Sequence, residues 1–215
     1  LYLQSCSNTT IHTNNVAKNL GGIIVGDLVK SAIYANKVFS NNHTICLRAS
    51  TDINVTSNVL SFNVFGIHLW NSSHVSVTEN DLYSHGGWSL GLIASVDSNV
   101  ANNNISKVDG LDGIRLMFSS RNNVNGNNIS YCEHSGILLW YDCHNNSATS
   151  NRVSFSGSQG WGHGHGIEVL LSHNNVFSKN MILNNRNQGI VGIETSNNSF
   201  TENLISSNRR GVQLH

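Results

Sequence analysis

Residues 113–140 read GIRLMFSSRNNVNGNNISYCEHSGILLW, and the end of that string repeats its beginning. In GIRLM and GILLW apolar residues alternate between two faces, the period-two pattern of a strand with one side in a core. Between them stands Asn127, followed after one residue by the aliphatic Ile129. Working outward, GIHLW at 66–70 and GIEVL at 166–170 repeat the strand. Glycines followed by an aliphatic residue recur at Gly22, Gly66, Gly91, Gly113, Gly136, Gly166, Gly189 and Gly211, with Thr44 in the equivalent place. The steps are 22, 22, 25, 22, 23, 30, 23 and 22 residues. Fourteen residues after a coil start comes an Asn: Asn14, Asn36, Asn58, Asn80, Asn127, Asn180 and Asn203, with Asn103 and Asn151 displaced by one or two.

A period near 22 residues, short strands and no helical periodicity predict a single all-β solenoid, a parallel β-helix of about nine coils over residues 1–215. Each coil buries its apolar face only by stacking on its neighbours. The Asn column is expected at a turn, where Asn tolerates left-handed backbone and can bond to the Asn of the next coil. A small-residue column is read at Ser7, Thr51, Ser73, Ser98, Ser120, Cys143 and Ser196, so Cys143 reads as a substituted turn serine. Cys132 and Cys143 flank one extended strand and lie too far apart to bridge, while Cys6 and Cys46 fall in different columns. Four free thiols are expected, and no C-x-x-C zinc pattern occurs.

Composition agrees. The chain has no proline, 11% charged residues and zero formal net charge, and the common helix formers are scarce. Scattered single Lys and Arg residues leave no footprint for nucleic acid. No apolar run approaches the roughly 18 residues of a membrane helix, so no membrane insertion is expected. Eight N-x-[ST] sequons, at Asn8, Asn42, Asn54, Asn71, Asn104, Asn128, Asn145 and Asn197, tilt the localisation toward the extracellular side or cell surface. Leu1 and His215 both fall inside a coil, so flanking domains or subunits are expected to cap the open ends.

The G-I-x-L…N-x-[IV]…N-x-G-I repeat, over essentially the whole chain, resembles the right-handed parallel β-helix repeats of carbohydrate-binding proteins and sugar hydrolases, including the NosD-like proteins. The resemblance implies a right-handed solenoid and either a polysaccharide enzyme or a carbohydrate- or metal-binding surface or periplasmic protein. Archaeal disaggregatases are one similar group. The W-G-H-G-H-G-I string at 161–167 resembles the G-H-G segment of polygalacturonases, whose N-T-D and R-I-K segments have no counterpart. The proline-containing D-P-H-E segment of epimerases with this fold is absent as well.

From each coil's Asn to the next coil start, the quiet coils count eight residues, and five consecutive coils count 11, 10, 9, 15 and 9. Insertions entering one turn on stacked coils should form a continuous wall. The wall carries Tyr83, His85 and Trp88, then Lys107, Asp109 and Asp112, then Tyr131, Glu133 and His134, then Trp161, His163 and His165, then Arg186. Beside it, the outward second strand position reads His68, Ile93, Arg115, Leu138, Glu168 and Val191, and the fourth reads Trp70, Ser95, Met117, Trp140 and Leu170. A groove floored by Arg115, Glu168 and Trp140, beside the long loops of coils 66–189, is the predicted site.

Glycoside hydrolysis needs two carboxyl groups, about 5 Å apart for retention and about 6.5–9.5 Å for inversion. Asp109, Asp112, Glu133 and Glu168 are the candidate acids and bases, with His134, His163 and His165 as proton-transfer or binding groups. Arg115 is the candidate for a substrate carboxylate, and Lys107 is a further substrate-binding candidate. Trp88, Trp140, Trp161, Tyr131, His85 and Arg186 complete a sugar-binding set. Hydrolysis of an acidic or amino-sugar polysaccharide is the leading expectation. Elimination on a uronic-acid polymer is the runner-up, with Lys107, His134 or Tyr131 as base and Arg115 or a bound Ca2+ as neutraliser. A copper or zinc site on His85, His134, His163 and His165 is the reading of another class. No metal or cofactor is required by the sequence.

Overall fold

The computed structural model describes residues 1–157 and 164–215. Three parallel sheets wrap one core, and every coil gives one strand to each. We number the strands that carry the site β1 (Phe65–Trp70), β2 (Leu90–Ile93), β3 (Ile114–Met117), β4 (Ile137–Trp140), β5 (Ile167–Leu170) and β6 (Gln188–Ile193). They lie consecutively in the ten-stranded first sheet; the second and third sheets have nine strands each. The architecture is a right-handed β-solenoid of about nine turns and about 23 residues per turn, with no helix among the described residues.

Inward positions form unbroken aliphatic columns. Ile45, Ile67, Leu90, Ile114, Ile137, Ile167 and Ile190 stack in the first sheet, and Val38, Leu60, Leu82, Ile105, Ile129, Val153 and Ile182 in the third. All are fully buried. At roughly 1.5–3 kcal/mol for each fully buried aliphatic side chain, these columns supply most of the drive to stack.

At the corner between the second and third sheets the Asn column is continuous. Asn14, Asn36, Asn58, Asn80, Asn103, Asn127, Asn151, Asn180 and Asn203 bond side chain to side chain, with Nδ2 to Oδ1 distances of 2.9–3.0 Å. Each Oδ1 also accepts the preceding Asn backbone N–H. One amide thus satisfies turn groups of two coils, and left-handed residues recur beside each corner, such as Asn102 at φ 55° and Lys179 at φ 57°.

The register corrects the coil phase at one place. Ile67 pairs with Leu90 and Leu90 with Ile114, so Ser89, not Gly91, occupies the coil-start position of Gly66 and Gly113. Asn103 is then in phase, and the first inserted turn counts nine residues rather than 11. The outward columns become His68, Gly91, Arg115, Leu138, Glu168, Val191 and Trp70, Ile93, Met117, Trp140, Leu170, Ile193. The small-residue column holds for Ser7, Thr51, Ser73, Ser120 and Ser196, whereas Ser98 and Cys143 fall outside it. The laddered hydroxyls are Ser50, Ser72, Ser95 and Ser119, each accepting the preceding coil's N–H, and Cys143 stands next in that column with its own N–H on Ser172. All four cysteines are free.

Thr44 and Ser89 show that a side chain fits some coil starts, but at Gly113 nothing larger fits. A Cβ at Gly113 would lie 2.5 Å from Ile129 Cγ2 and 2.7 Å from the Gly136 carbonyl oxygen. At Gly91 the reason differs: a Cβ there would lie 2.6 Å from Trp88 Nε1, so this glycine makes room for an indole laid over the first sheet.

Candidate active site

The outward face of the first sheet is covered along its middle coils. His68, Arg115, Leu138 and Glu168 point away from the core yet are 3%, 8%, 5% and 5% exposed, because residues just before each coil start fold over them. Those residues are Phe65, Trp88, Asp112, Ser135 and His165. Trp88, in the space left by Gly91, has its ring 5.3 Å from His68 and 4.6 Å from the Arg115 guanidinium. Trp140 lies 5.2 Å from the same guanidinium on the next coil. Arg115 is thus held between two indoles, a favourable setting for a planar, weakly hydrated cation.

Asp112 fixes Arg115 in its plane. Arg115 Nε and a terminal nitrogen reach Asp112 Oδ2 at 2.8 and 2.6 Å, and Oδ1 accepts the Ser135 backbone N–H at 3.1 Å. Asp112 is fully buried. That burial pushes its carboxyl up from the ordinary carboxylate value, against the opposing pull of Arg115 and the Ser135 N–H. The Ser135 hydroxyl donates to Glu168 Oε2 at 2.6 Å, so one serine joins the two carboxylates across adjacent coils. Leu111, Asp112, Arg115, His134, Leu138, Trp140, Glu168 and Leu170 enclose a pocket of about 340 Å3.

Other predicted residues lie elsewhere. Lys107 and Tyr131 take left-handed backbone, φ 54° and 55°, which turns their side chains out along the third sheet. Lys107 Nζ stands 3.2 Å from the Tyr83 hydroxyl, and this hydrogen bond holds the phenol below its usual value. Tyr131 stacks on Phe155 at 5.0 Å and, with Arg186, lines a second pocket of about 310 Å3. The predicted single groove is therefore two surfaces on either side of the wall. Asp109 and Glu133 share one column on adjacent coils, bonded through their backbones to His85 and Val108; Asp109 is exposed and Glu133 buried. His165 is buried beside the covered face.

His85 is misplaced by the sequence reading. It is fully buried beneath the turn, with Nδ1 2.9 Å from Ser89 Oγ, and burial pulls its pKa down to about 4. Trp161 and His163 lie outside the described residues. Among the described residues, His85, His134 and His165 do not form a three-ligand metal cluster. Ca2+ fits poorly as well: it needs six to eight oxygen ligands, and the Asp112 carboxylate already faces a guanidinium.

Ser135 was not foreseen. Its signal is the residue before each coil-start glycine, where Asp112, Ser135 and His165 stand in successive coils.

A family model described as a right handed beta helix region matches residues 65–215. Among curated proteins, no sequence matches the chain. Among solved structures, a double mutant of the periplasmic alginate epimerase AlgG superposes with TM-score 0.77 at 13% identity, over 100% of this chain and 60% of the epimerase. The alginate lyase of Paenibacillus sp. str. FPU-7 gives TM-score 0.60 at 12% identity, covering 95% of this chain and 98% of the lyase. The Azotobacter vinelandii mannuronan C-5 epimerase AlgE4 A-module gives 0.54 at 15%, covering 97% and 56%. At these identities the likeness is one of fold, and the chain spans little more than half the length of either epimerase.

Proposed function

The chain belongs to the right-handed β-helix family, and from that premise we propose that it is a polysaccharide lyase acting on a uronic-acid polymer laid across the coils of the first sheet. The observation that carries this reading is that Arg115 and His134 line one pocket. In elimination, a base removes the C5 proton, its electron pair forms the C4–C5 double bond, the C4–O bond breaks, and the departing oxygen takes up a proton. His134 is the base in this reading, and Arg115 faces the substrate carboxylate. Asp112 positions Arg115, and Glu168 lines the same pocket and is assigned, in this reading, to the side of the leaving oxygen. Trp140, Leu138 and Leu170 offer apolar surface to a sugar face.

Support also comes from the solved neighbours, two alginate epimerases and an alginate lyase among them. Location outside the cytoplasm, in periplasm or at the cell surface, belongs to the same reading.

Hydrolysis is the second reading, because Asp112 and Glu168 both line the pocket. It is weaker: the fully buried Asp112 is committed to Arg115, and a two-carboxylate mechanism needs both groups to exchange protons with the substrate.

The test is incubation with alginate, pectate and hyaluronate while following the ultraviolet absorbance of an unsaturated uronide together with new reducing ends. Rise of both on one polymer, reduced about 100-fold or more in His134→Ala, is the expected result. Reducing ends without absorbance would replace elimination by hydrolysis. Neither signal on any polymer would leave a binding surface.

A further inference from the structure

At the opposite rim of the first sheet, where its strands turn into the second sheet, one corner differs from the rest. Elsewhere a single left-handed residue separates the strand from the serine column: Asn71, Ala94, Phe118, Leu171 and Glu194. After β4 there are two, Tyr141 at φ 53° and Asp142 at φ 48°. The column that follows is occupied by Ser73, Val96, Ser120 and Ser196, except that His144 and His173 stand together on the coil with the extra residue and on the next. Their rings stack 5.6 Å apart and 7° from parallel. His144 Nδ1 lies 3.6 Å from Asp142 Oδ1, and one ligand atom from each of the three residues falls within 4.8 Å of the others.

We propose that Asp142, His144 and His173 form a binding site for a divalent first-row transition ion of the zinc type. Two imidazoles and a carboxylate are the donor set such an ion prefers over Mg2+ or Ca2+, which favour oxygen. Tetrahedral coordination at about 2.0–2.2 Å from each ligand needs the donor atoms to close by up to about 1.5 Å. Side-chain rotation can supply that, because Asp142 is exposed and the two rings are half-exposed. Stacked imidazoles alone do not account for the carboxylate. It is brought there by a one-residue insertion that, among the described residues, occurs at no other corner of this column. Three protein ligands leave one coordination position for water. The ion fastens the two-residue bulge to the next coil, and Tyr141 in that bulge stacks at 4.8 Å on Trp140, which lines the pocket.

The column itself supplies the variants, since Ser120 and Ser196 show that serine fits there. Zn2+ is titrated calorimetrically into the full chain, with thermal unfolding followed with and without the ion. One equivalent should bind, unaffected by excess Mg2+ or Ca2+, and raise the melting temperature. His144→Ser and His173→Ser should each keep the fold and weaken binding by at least the roughly 10- to 100-fold that even a ligand's outer partners command. Asp142→Asn should weaken it less and shrink the Zn2+-induced rise in melting temperature in proportion. Binding unchanged in folded His173→Ser would place any zinc elsewhere, and no binding by the unaltered chain would leave the histidines a simple stack; either result overturns the proposal.

Discussion

Two corners of this solenoid are built from the same residue and end differently. Between the second and third sheets, Asn14 to Asn203 ladder through every coil without a break. Between the third and first sheets, Asn19, Asn41 and Asn63 begin the same ladder, and Asn185 and Asn208 resume it. The coils between carry His85, Val108, Cys132 and Ser156 in that column. All four turns are longer than in the quiet coils. The fifth lengthened turn, of nine residues, keeps its ladder residue: Asn185 donates to Asn208 Oδ1 and its own Oδ1 accepts the Ser156 N–H of the longest turn, each at 2.9 Å. Loss of the amide thus accompanies four of the five lengthened turns. The pocket lies beside the interrupted corner, where Asp112, Ser135 and Glu168 supply in side-chain bonds what the ladder supplies elsewhere.

That exchange predicts its largest effect at Asp112. Asp112→Ala leaves the 8%-exposed Arg115 without its carboxylate, between two indoles. Breaking a buried pair on one side costs about 3–5 kcal/mol, measurable by denaturant unfolding. A loss below about 1 kcal/mol would mean that the pair does not replace the ladder.

At the uninterrupted corner, Asn127→Ala removes the bonds of Nδ2 to Val100 O and Asn151 Oδ1, and the acceptor for the Asn103 N–H. With at least two backbone groups stranded in a site 1% exposed, the expected loss is about 2–4 kcal/mol. An equal loss from replacing Val108, in the interrupted column one coil earlier, by Ala would erase the contrast, since that change should cost only about 1–2 kcal/mol of apolar burial.

The third test restores a ladder residue. His85 is held neutral by burial, its pKa lowered from 6.5 to about 4, and His68 likewise to about 3. The unfolded chain binds these protons first, so the native state loses stability as pH falls from about 6.5 toward those values. Each histidine contributes about 1.4 kcal/mol per pH unit in that window. His85→Asn should remove one such slope between pH 6 and 4.5, with little change at pH 7. An unchanged slope would show that His85 is not the proton acceptor.

Much of this was legible in the chain because stacking makes each column a sequence period. The aliphatic columns, the Asn ladder and the shared turn of the insertions follow from spacing. What spacing hides is the exception. Gly91 reads as a coil start but is a gap for Trp88, and that reading displaced Ile93 and Ser95 into columns they do not occupy. Lys107 and Tyr131 count as wall residues by position, yet left-handed backbone turns them to the third sheet. His85 looks like a loop ligand, and only the inward direction of the ladder column makes it a core residue.

The smallest expected effect probes the remaining column, at the corner between the first and second sheets. There Ser50, Ser72, Ser95 and Ser119 each accept the preceding coil's N–H at 3.1–3.2 Å. Cys143 stands in the same line, fully buried, and burial raises its thiol pKa, so its sulfur is a neutral and weak acceptor. The chain spends one more residue at this turn than at the others, which accommodates the larger atom. Cys143→Ser should therefore gain one ordinary hydrogen bond and lose a little packing, a net change of at most about 1 kcal/mol toward stability. A clear loss of stability would instead show that the longer turn has become fitted to sulfur. In that case this corner, like the one with the insertions, can leave its ladder only where neighbouring side chains are rebuilt around the break.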